Sequence, residues 1–541
     1  MSQDSSERAL KLPPEQRKKL DELRDYVRRQ YRTFVGYPCR GDLDYSELYD
    51  FLVYPINNVG DPFAPSTYRV HSREIEREVV RWFAELTHIK APDYWGYVTN
   101  GGTEGNIYGL FLARELLPDG IVYYSEDTHY SVAKNLRVLN MKHIMVKSRA
   151  SGEIDYEDLE HSLEIHRDAP PILFVNIGTT MTEGIDDVGR IRRMLERMAI
   201  QRSYIHCDAA LSGMTLPFQD GAPIYDFRAG IDSISISGHK FIGSPIPCGI
   251  VLARKRYVDR IARSIEYVGT LDTTLTGSRD AITPLFLWYA IHTRGVEGFR
   301  REVAECIAKA DYAIEQFRRI GVEAWRNPHA ITVMFPEPPA SVLEKWQIAV
   351  HRGRAHIITL QSITREQIDE LVADIAAARA VAPPASAPRA EAPAIPAHPA
   401  NPDLKGILIV TKNRPGLVAD VTDALGARDI NIESLEAEEV HDLATVELTV
   451  DRYDEALEVL RDAGFDAVSE DVIVVRIKDE PGSLARLGRR FKDAGISLRS
   501  IRILRRHQGF AWIALATPRS AEALALVEDC RVRNTARRNS R

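Results

Sequence analysis

Cysteine is scarce in this chain: five in 541 residues, with no CxxC pair among Cys39, Cys207, Cys248, Cys306 and Cys530. An odd, scattered set excludes a disulfide framework and gives no reason to expect a metal site, so a reducing, cytoplasmic setting is expected. Long apolar runs are also missing. No stretch of 18 apolar residues occurs, and the N-terminal segment MSQDSSERALKLPPEQRKKL lacks the apolar core of a signal peptide, which argues against export and membrane spanning. Neither sign of charge dominates, since Lys+Arg 70 against Asp+Glu 77 leaves a net charge of -7. Nothing in that balance calls for a nucleic-acid partner. The stretch Arg531 to Arg541 does carry five arginines, but such a run reads first as a solvated tail.

What is present is a globular composition, 44% hydrophobic and 27% charged, at a length that implies about three domains. The clearest boundary is Val381 to Asp403, where seven prolines between Pro383 and Pro402 favour an extended spacer. It separates a unit over 1–380 from a C-terminal part that repeats itself. Pro415/Pro481, Val421/Leu487, Leu425/Phe491, Ile430/Ile496 and Ile432/Leu498 all lie 66 positions apart, an offset that marks two copies, 404–470 and 471–532, before a basic tail over 533–541. Each copy reads as strand, Pro-Gly turn, helix, strand, strand, helix, a small ferredoxin-like α+β unit. The second ends without an obvious last strand.

That pattern resembles the ACT domain, a family of amino-acid-sensing regulatory modules. The resemblance implies an effector near the first strand-to-helix turn, at Asn413, Pro415, Gly416 and Leu417, and at Glu480 to Leu484 in the second copy. A glycine there lets the backbone approach a carboxylate at a helix N-terminus. A pairing module that binds no small molecule is the alternative.

In the first unit, apolar runs such as Ile172 to Thr180, Ser203 to Leu211 and Ser233 to Lys240 alternate with helical stretches. This predicts an α/β fold with a mainly parallel sheet covered on both faces, whose ligands gather at the carboxyl ends of the strands. Three groups of unusual residues fall there. TNGGTEGN, Thr99 to Asn106, precedes a helical run; its glycines and hydroxyl suit a phosphate, although a Gly-Gly turn capped by Thr103 and Glu104 is also an ordinary helix start. Asp208 closes an apolar strand and must be paired or hydrogen-bonded. Lys240 follows another, where burial would favour the neutral, nucleophilic amine over a snorkelling surface lysine. An anion cradle, a carboxylate and an imine-forming lysine together suit pyridoxal 5'-phosphate.

The segments YWGYVTNGGTEGN, YYSEDTHYSV, GEIDYEDL, NIGTT, IHCDAALSGM and SGHKFIGSPIPCGI resemble the group II pyridoxal-phosphate amino acid decarboxylases, in the branch of bacterial histidine and plant serine decarboxylases. The resemblance spans about Tyr31 to Ile375 and implies a fold-type-I homodimer with active sites at the subunit interface. By motif, Lys240 would hold the cofactor aldehyde, Asp208 would pair with the pyridine nitrogen, and His129 would stack on the ring and contact substrate. Gly102, Thr103, Ser237 and His239 would hold the phosphate; Thr180 and Ala210 would line the cofactor. Tyr68 and His71 would lie near the substrate side chain, and Tyr267 or Lys240 would return the proton to Cα. Thr274 to Asp280 would approach the phosphate from the neighbouring chain, where the familiar Ser-Arg-Asn-Gly reads Ser278-Arg279-Asp280-Ala281. The reaction expected is decarboxylation of L-histidine to histamine, with L-serine to ethanolamine as the alternative. Another pyridoxal-phosphate reaction and a non-catalytic amino-acid sensor are the rival readings.

Overall fold

The computed structural model describes residues 12–265 and 269–381, and most of 406–527 apart from short stretches such as 413–416, 441–442 and 508–509. Seven strands make the central sheet: β1 (Tyr94–Thr99), β2 (Ile121–Ser125), β3 (Lys142–Val146), β4 (Pro171–Asn176), β5 (Tyr204–Asp208), β6 (Ser233–Ser237) and β7 (Gly249–Arg254), in the order β1-β7-β6-β5-β4-β2-β3. The pairs from β3 across to β6 are parallel, and β7 runs against both of its neighbours. Every residue of β4, β5 and β6 is buried, as expected for strands covered on both faces. The strands stop earlier than the apolar runs do. β5 ends at Asp208 and β6 at Ser237, so the residues that follow form turns at one edge.

Beyond α1 (Pro14–Tyr31), which buries no residue, α2 (Arg73–Leu86) packs Val79, Val80, Phe83 and Ala84 inward at three-to-four spacing, the stripe that drives a surface helix onto a core. The helix α3 (Gly102–Leu116) begins five residues before the expected run at Ile107. The reason is its closeness to the sheet. A Cβ on Gly102, Gly105 or Gly109 would come within 2.7, 2.2 and 2.1 Å of Ser237, Ser235 and His206 respectively. Small residues on both sides allow that approach: the Ser-Ile alternation of β6 puts Ser235 and Ser237 toward α3, while Ile234 and Ile236 join the opposite core. A helical span, Thr283–Arg319, broken into two helices by a kink at Gly295 (φ 60°), then leads to an antiparallel sheet of Thr332–Pro336, Arg354–Ile358 and Ala349–His351, and to the helix Arg365–Val381. Among the described residues no helix is long and apolar enough to cross a membrane.

Past the Pro/Ala segment, Gly406–Lys412, Leu417–Gly426, Ile432–Val440, Leu443–Val450 and Ala467–Glu470 form a four-stranded antiparallel sheet with its helix. The first strand lies between the third and the fourth, the ferredoxin-like order. Val472–Lys478, Ser483–Asp493, Ser500–His507 and Phe510–Ala516 repeat this with three strands among the described residues; the residues after 527 lie outside them. Val421 and Leu487, Leu425 and Phe491, Ile430 and Ile496 are buried in corresponding cores. The second module meets the first unit: Lys492 Nζ donates to the Ile165 carbonyl at 2.8 Å and approaches Asp168 at 3.3 Å, and Ser500–His507 runs close to the edge strand β3.

Candidate active site

The strand order brings three chain segments to one edge of the sheet, at the carboxyl ends of β5 and β6 and the N-terminus of α3. Asp208 closes β5, 8% exposed. Its Oδ1 accepts from the Ala210 N–H at 3.1 Å and its Oδ2 from Asn106 Nδ2 at 2.7 Å. Lys240, just beyond β6, is partly exposed. Burial pushes its ammonium below the usual range, opposed by the negative charge of Asp208 and, more weakly, of Cys39 and Glu183. His129 follows β2. Its imidazole is also pushed down, first by burial, while the Asp208 charge raises it and Lys240 and Lys134 lower it. The three groups therefore share one electrostatic field, although they are separated by 79 and 32 positions in the chain.

The loop bearing His129 is held from the neighbouring strand. Asn176, the last residue of β4, donates through Nδ2 to Ser125 Oγ (3.0 Å) and Thr128 Oγ1 (2.9 Å), and His129 Nδ1 meets Ser131 Oγ at 2.8 Å. At the start of α3, Gly101 has φ 132°, and the helix lacks a side-chain cap there. Glu104 turns back to the Asn100 N–H at 2.8 Å and takes the Tyr97 hydroxyl at 2.9 Å, so it does not cap the first-turn N–H groups of Gly102 and Thr103. Those are the donors that an unsatisfied helix end offers to an anion. Ser237 lies so close that a Cβ at 102 would fill the space between them. A glycine-rich helix start, a hydrogen-bonded carboxylate and a lysine kept toward neutrality form the set that pyridoxal phosphate requires; the residues present fit that group.

Other expected positions divide. Ala210 bonds Asp208 through its N–H and receives the Ser237 N–H, so it stays at the site. His239 commits Nδ1 to the Cys248 carbonyl at 2.8 Å; Thr180 is exposed on the turn past β4. Tyr68 and His71 bond within or beside their own loop, to Ser66, Pro55 and Arg73, and no described hydrogen bond joins them to Lys240, Asp208 or His129. Arg279 is buried in an ion pair with Glu76, and donates to the Gly60 carbonyl at 3.0 Å. Asp280 accepts from the Ile282 and Thr283 N–H groups at 2.7 and 3.3 Å, so its carboxylate is committed to the turn that leads into the helix at Thr283. Tyr267, Asn413, Pro415 and Gly416 lie outside the described residues. Leu417 is buried in its module's core, and Gly482, with φ 82°, opens the matching helix of the second copy. Asn106, Asn176 and His206 were not given roles by sequence reasoning; all three stand inside quoted motifs, but nothing local shows what their side chains reach.

The model of the pyridoxal-dependent decarboxylase conserved domain matches residues 50–335, and that of the ACT domain matches residues 406–465. A histidine decarboxylase of Mesorhizobium japonicum is 47% identical over 364 residues, covering 67% of this chain and 98% of that protein. One from Morganella morganii is 47% identical over 363 residues, covering 66% and 96% respectively. Among solved structures, the L-methionine decarboxylase of Streptomyces sp.590 superposes with a TM-score of 0.63 at 27% identity, over 70% of this chain and 98% of that one. These are fold-type-I pyridoxal-phosphate proteins, and the central sheet with its helices has that fold.

Proposed function

This chain belongs to the pyridoxal-dependent decarboxylase family, and on that footing we propose that it converts L-histidine to histamine and carbon dioxide. The carrying observation is the shared field of Lys240, Asp208 and His129 beside the open N-terminus of α3, in a chain 44–47% identical to histidine decarboxylases. Bound pyridoxal phosphate would supply an electron sink for the charge left at Cα when the carboxylate departs. Lys240 Nζ, held toward its neutral form, would retain the cofactor covalently. Asp208 would hold a proton at the pyridine nitrogen, and the Gly102 and Thr103 N–H groups with Ser237 would hold the phosphate. His129 offers a flat face for stacking. Lys240 Nζ is the candidate among the described residues for returning a proton to Cα.

The test is product analysis by mass spectrometry, using the purified protein with pyridoxal phosphate and an equimolar mixture of amino acids. Histamine, absent with Lys240→Ala, is expected. Ethanolamine instead would replace histidine by serine as substrate, keto acid would replace the reaction type, and no product from any amino acid would refute the enzyme.

We propose further that a second copy of the chain completes the assembly. Support comes from α1, which leaves Leu20, Leu23 and Val27 exposed, and from Tyr49, Leu52, Val53 and Tyr54, also exposed; patches of this kind mark interfaces. Light scattering should give twice the mass of 60.9 kDa, and a monomer at micromolar concentration would refute it. The ACT-type modules are assigned control by an amino acid or by the product amine, supported by the Lys492 contact to Ile165. An unchanged rate response to every amino acid after Lys492→Glu would count against that contact as the coupling route.

A further inference from the structure

Behind Asp208 lies a row of polar side chains that neither cofactor nor substrate would touch. Asn106, His206, Ser233 and Tyr204 are at most 2% exposed. An ionised carboxylate can only accept, so Asn106 must present Nδ2 to Asp208 Oδ2, at 2.7 Å. Asn106 Oδ1 then faces His206 Nε2 at 3.0 Å and must accept from it. That places the imidazole hydrogen on Nε2 and leaves Nδ1 to accept from Ser233 Oγ at 2.7 Å. Ser233 Oγ in turn accepts from the Tyr204 hydroxyl at 2.9 Å. Each assignment follows from the one before, and every donor points the same way.

We infer that Asn106, His206 and Ser233 are positioning residues, which aim the Asp208 carboxylate through hydrogen bonds that are all donated toward it. Such a row polarises cooperatively, and it does so without a cation. Burial holds the His206 imidazole neutral, down to about 3, so the only net charge along the row belongs to Asp208. An arginine or a protonated histidine in the same place would neutralise that charge; a neutral amide orients it and leaves it available to a protonated ring nitrogen. The space for the imidazole comes from Gly109, whose missing Cβ would lie 2.1 Å from His206 Nδ1.

This inference rests on the decarboxylase reading and is tested on full-length protein reconstituted with pyridoxal phosphate. Asn106→Leu removes the donor with little change in volume. Without it the Asp208 carboxylate is no longer aimed at the ring nitrogen, so the pH midpoint of the bound cofactor's visible absorption should move by about one unit. In steady-state assays kcat should fall about tenfold or more, with KM changed less than about threefold. Asn106→Ser should move the same way by less, and provides the measurement if the leucine variant does not fold. His206→Leu leaves Asn106 Oδ1 without its donor and should lower kcat in the same direction, and His206→Gln, which retains an N–H toward Asn106 Oδ1, should restore part of that loss. A folded Asn106→Leu or Asn106→Ser enzyme with parental absorption profile and kcat overturns the inference. Asp208→Asn separates the two levels: parental absorption and turnover in that variant would overturn the reading of Asp208 itself.

Discussion

Gly109→Ala sets two physical effects against each other. Gly109 lies inside α3, and by helix propensity alone alanine would stabilise that helix by about 1 kcal/mol. The packing reverses the sign. The new Cβ would stand 2.1 Å from Nδ1, 2.4 Å from Cε1 and 2.8 Å from Cγ of His206, where an ordinary contact needs about 3.5 Å. His206 has 0% exposure and is bonded at both ring nitrogens, so the ring cannot swing aside without losing Ser233 and Asn106. Overpacking costs about 1–3 kcal/mol, and each lost hydrogen bond about 1 kcal/mol. The expected net is a destabilisation of about 2–4 kcal/mol. The assay is denaturant unfolding of the full chain, with Gly488→Ala as control. The same replacement in the helix Ser483–Asp493 meets nothing within 4 Å and should be neutral or stabilising. A Gly109→Ala protein as stable as the parent would refute the close packing of α3 on β5 and, with it, the placement of His206.

Glu76, at 0% exposure, accepts from Arg279, from Asn58 Nδ2 at 3.0 Å and from the Val98 N–H at 3.0 Å. Glu76→Ala leaves the Arg279 charge buried without its partner and should cost about 3–5 kcal/mol; a loss under about 1 kcal/mol in denaturant unfolding would contradict the buried pair. His206 gives a pH dependence. In the unfolded chain its imidazole titrates near 6.5, roughly, whereas in the fold it is held down to about 3, so between those values the unfolded state binds a proton that the native state refuses. Its contribution to stability is present above the unfolded value and is lost as pH falls, by up to about 1.4 kcal/mol per pH unit. His206→Gln should flatten the stability profile between about pH 4 and 6 by up to that slope, and an unchanged slope would count against the neutral buried ring. Glu183 Oε2 accepts from the Ile331 and Thr332 N–H groups and Thr332 Oγ1, and its Oε1 from Ser212, at 2.8 to 3.0 Å. Glu183→Ala should destabilise by more than about 2 kcal/mol and speed hydrogen exchange at Ile331 and Thr332; parental exchange there would refute the anchoring role.

Much of the organisation was legible in the chain itself, because it is written in neighbours. Seven prolines between Pro383 and Pro402 set a compositional boundary, and the spacer expected there lies outside the described residues. The 66-residue offset pairs Val421 with Leu487 and Leu425 with Phe491, since a repeated module must bury the same positions. Asp208 and Lys240 stood out because a charge at the end of an apolar run needs a partner that the run does not contain. What those charges meet depends on strand order, which no local pattern carries. Asn106 reaches Asp208 across 102 positions, and His206 reaches Asn106 across 100, because α3 packs onto β5 and β6. Arg279 likewise reads as a residue free to approach a phosphate until the fold buries it against Glu76, 203 positions away. Residue types and spacing determined which groups were present and on what kind of element. Only the closing of the sheet decided which side chains came within hydrogen-bonding distance, since such a bond is made over about 3 Å of space whatever the separation along the chain.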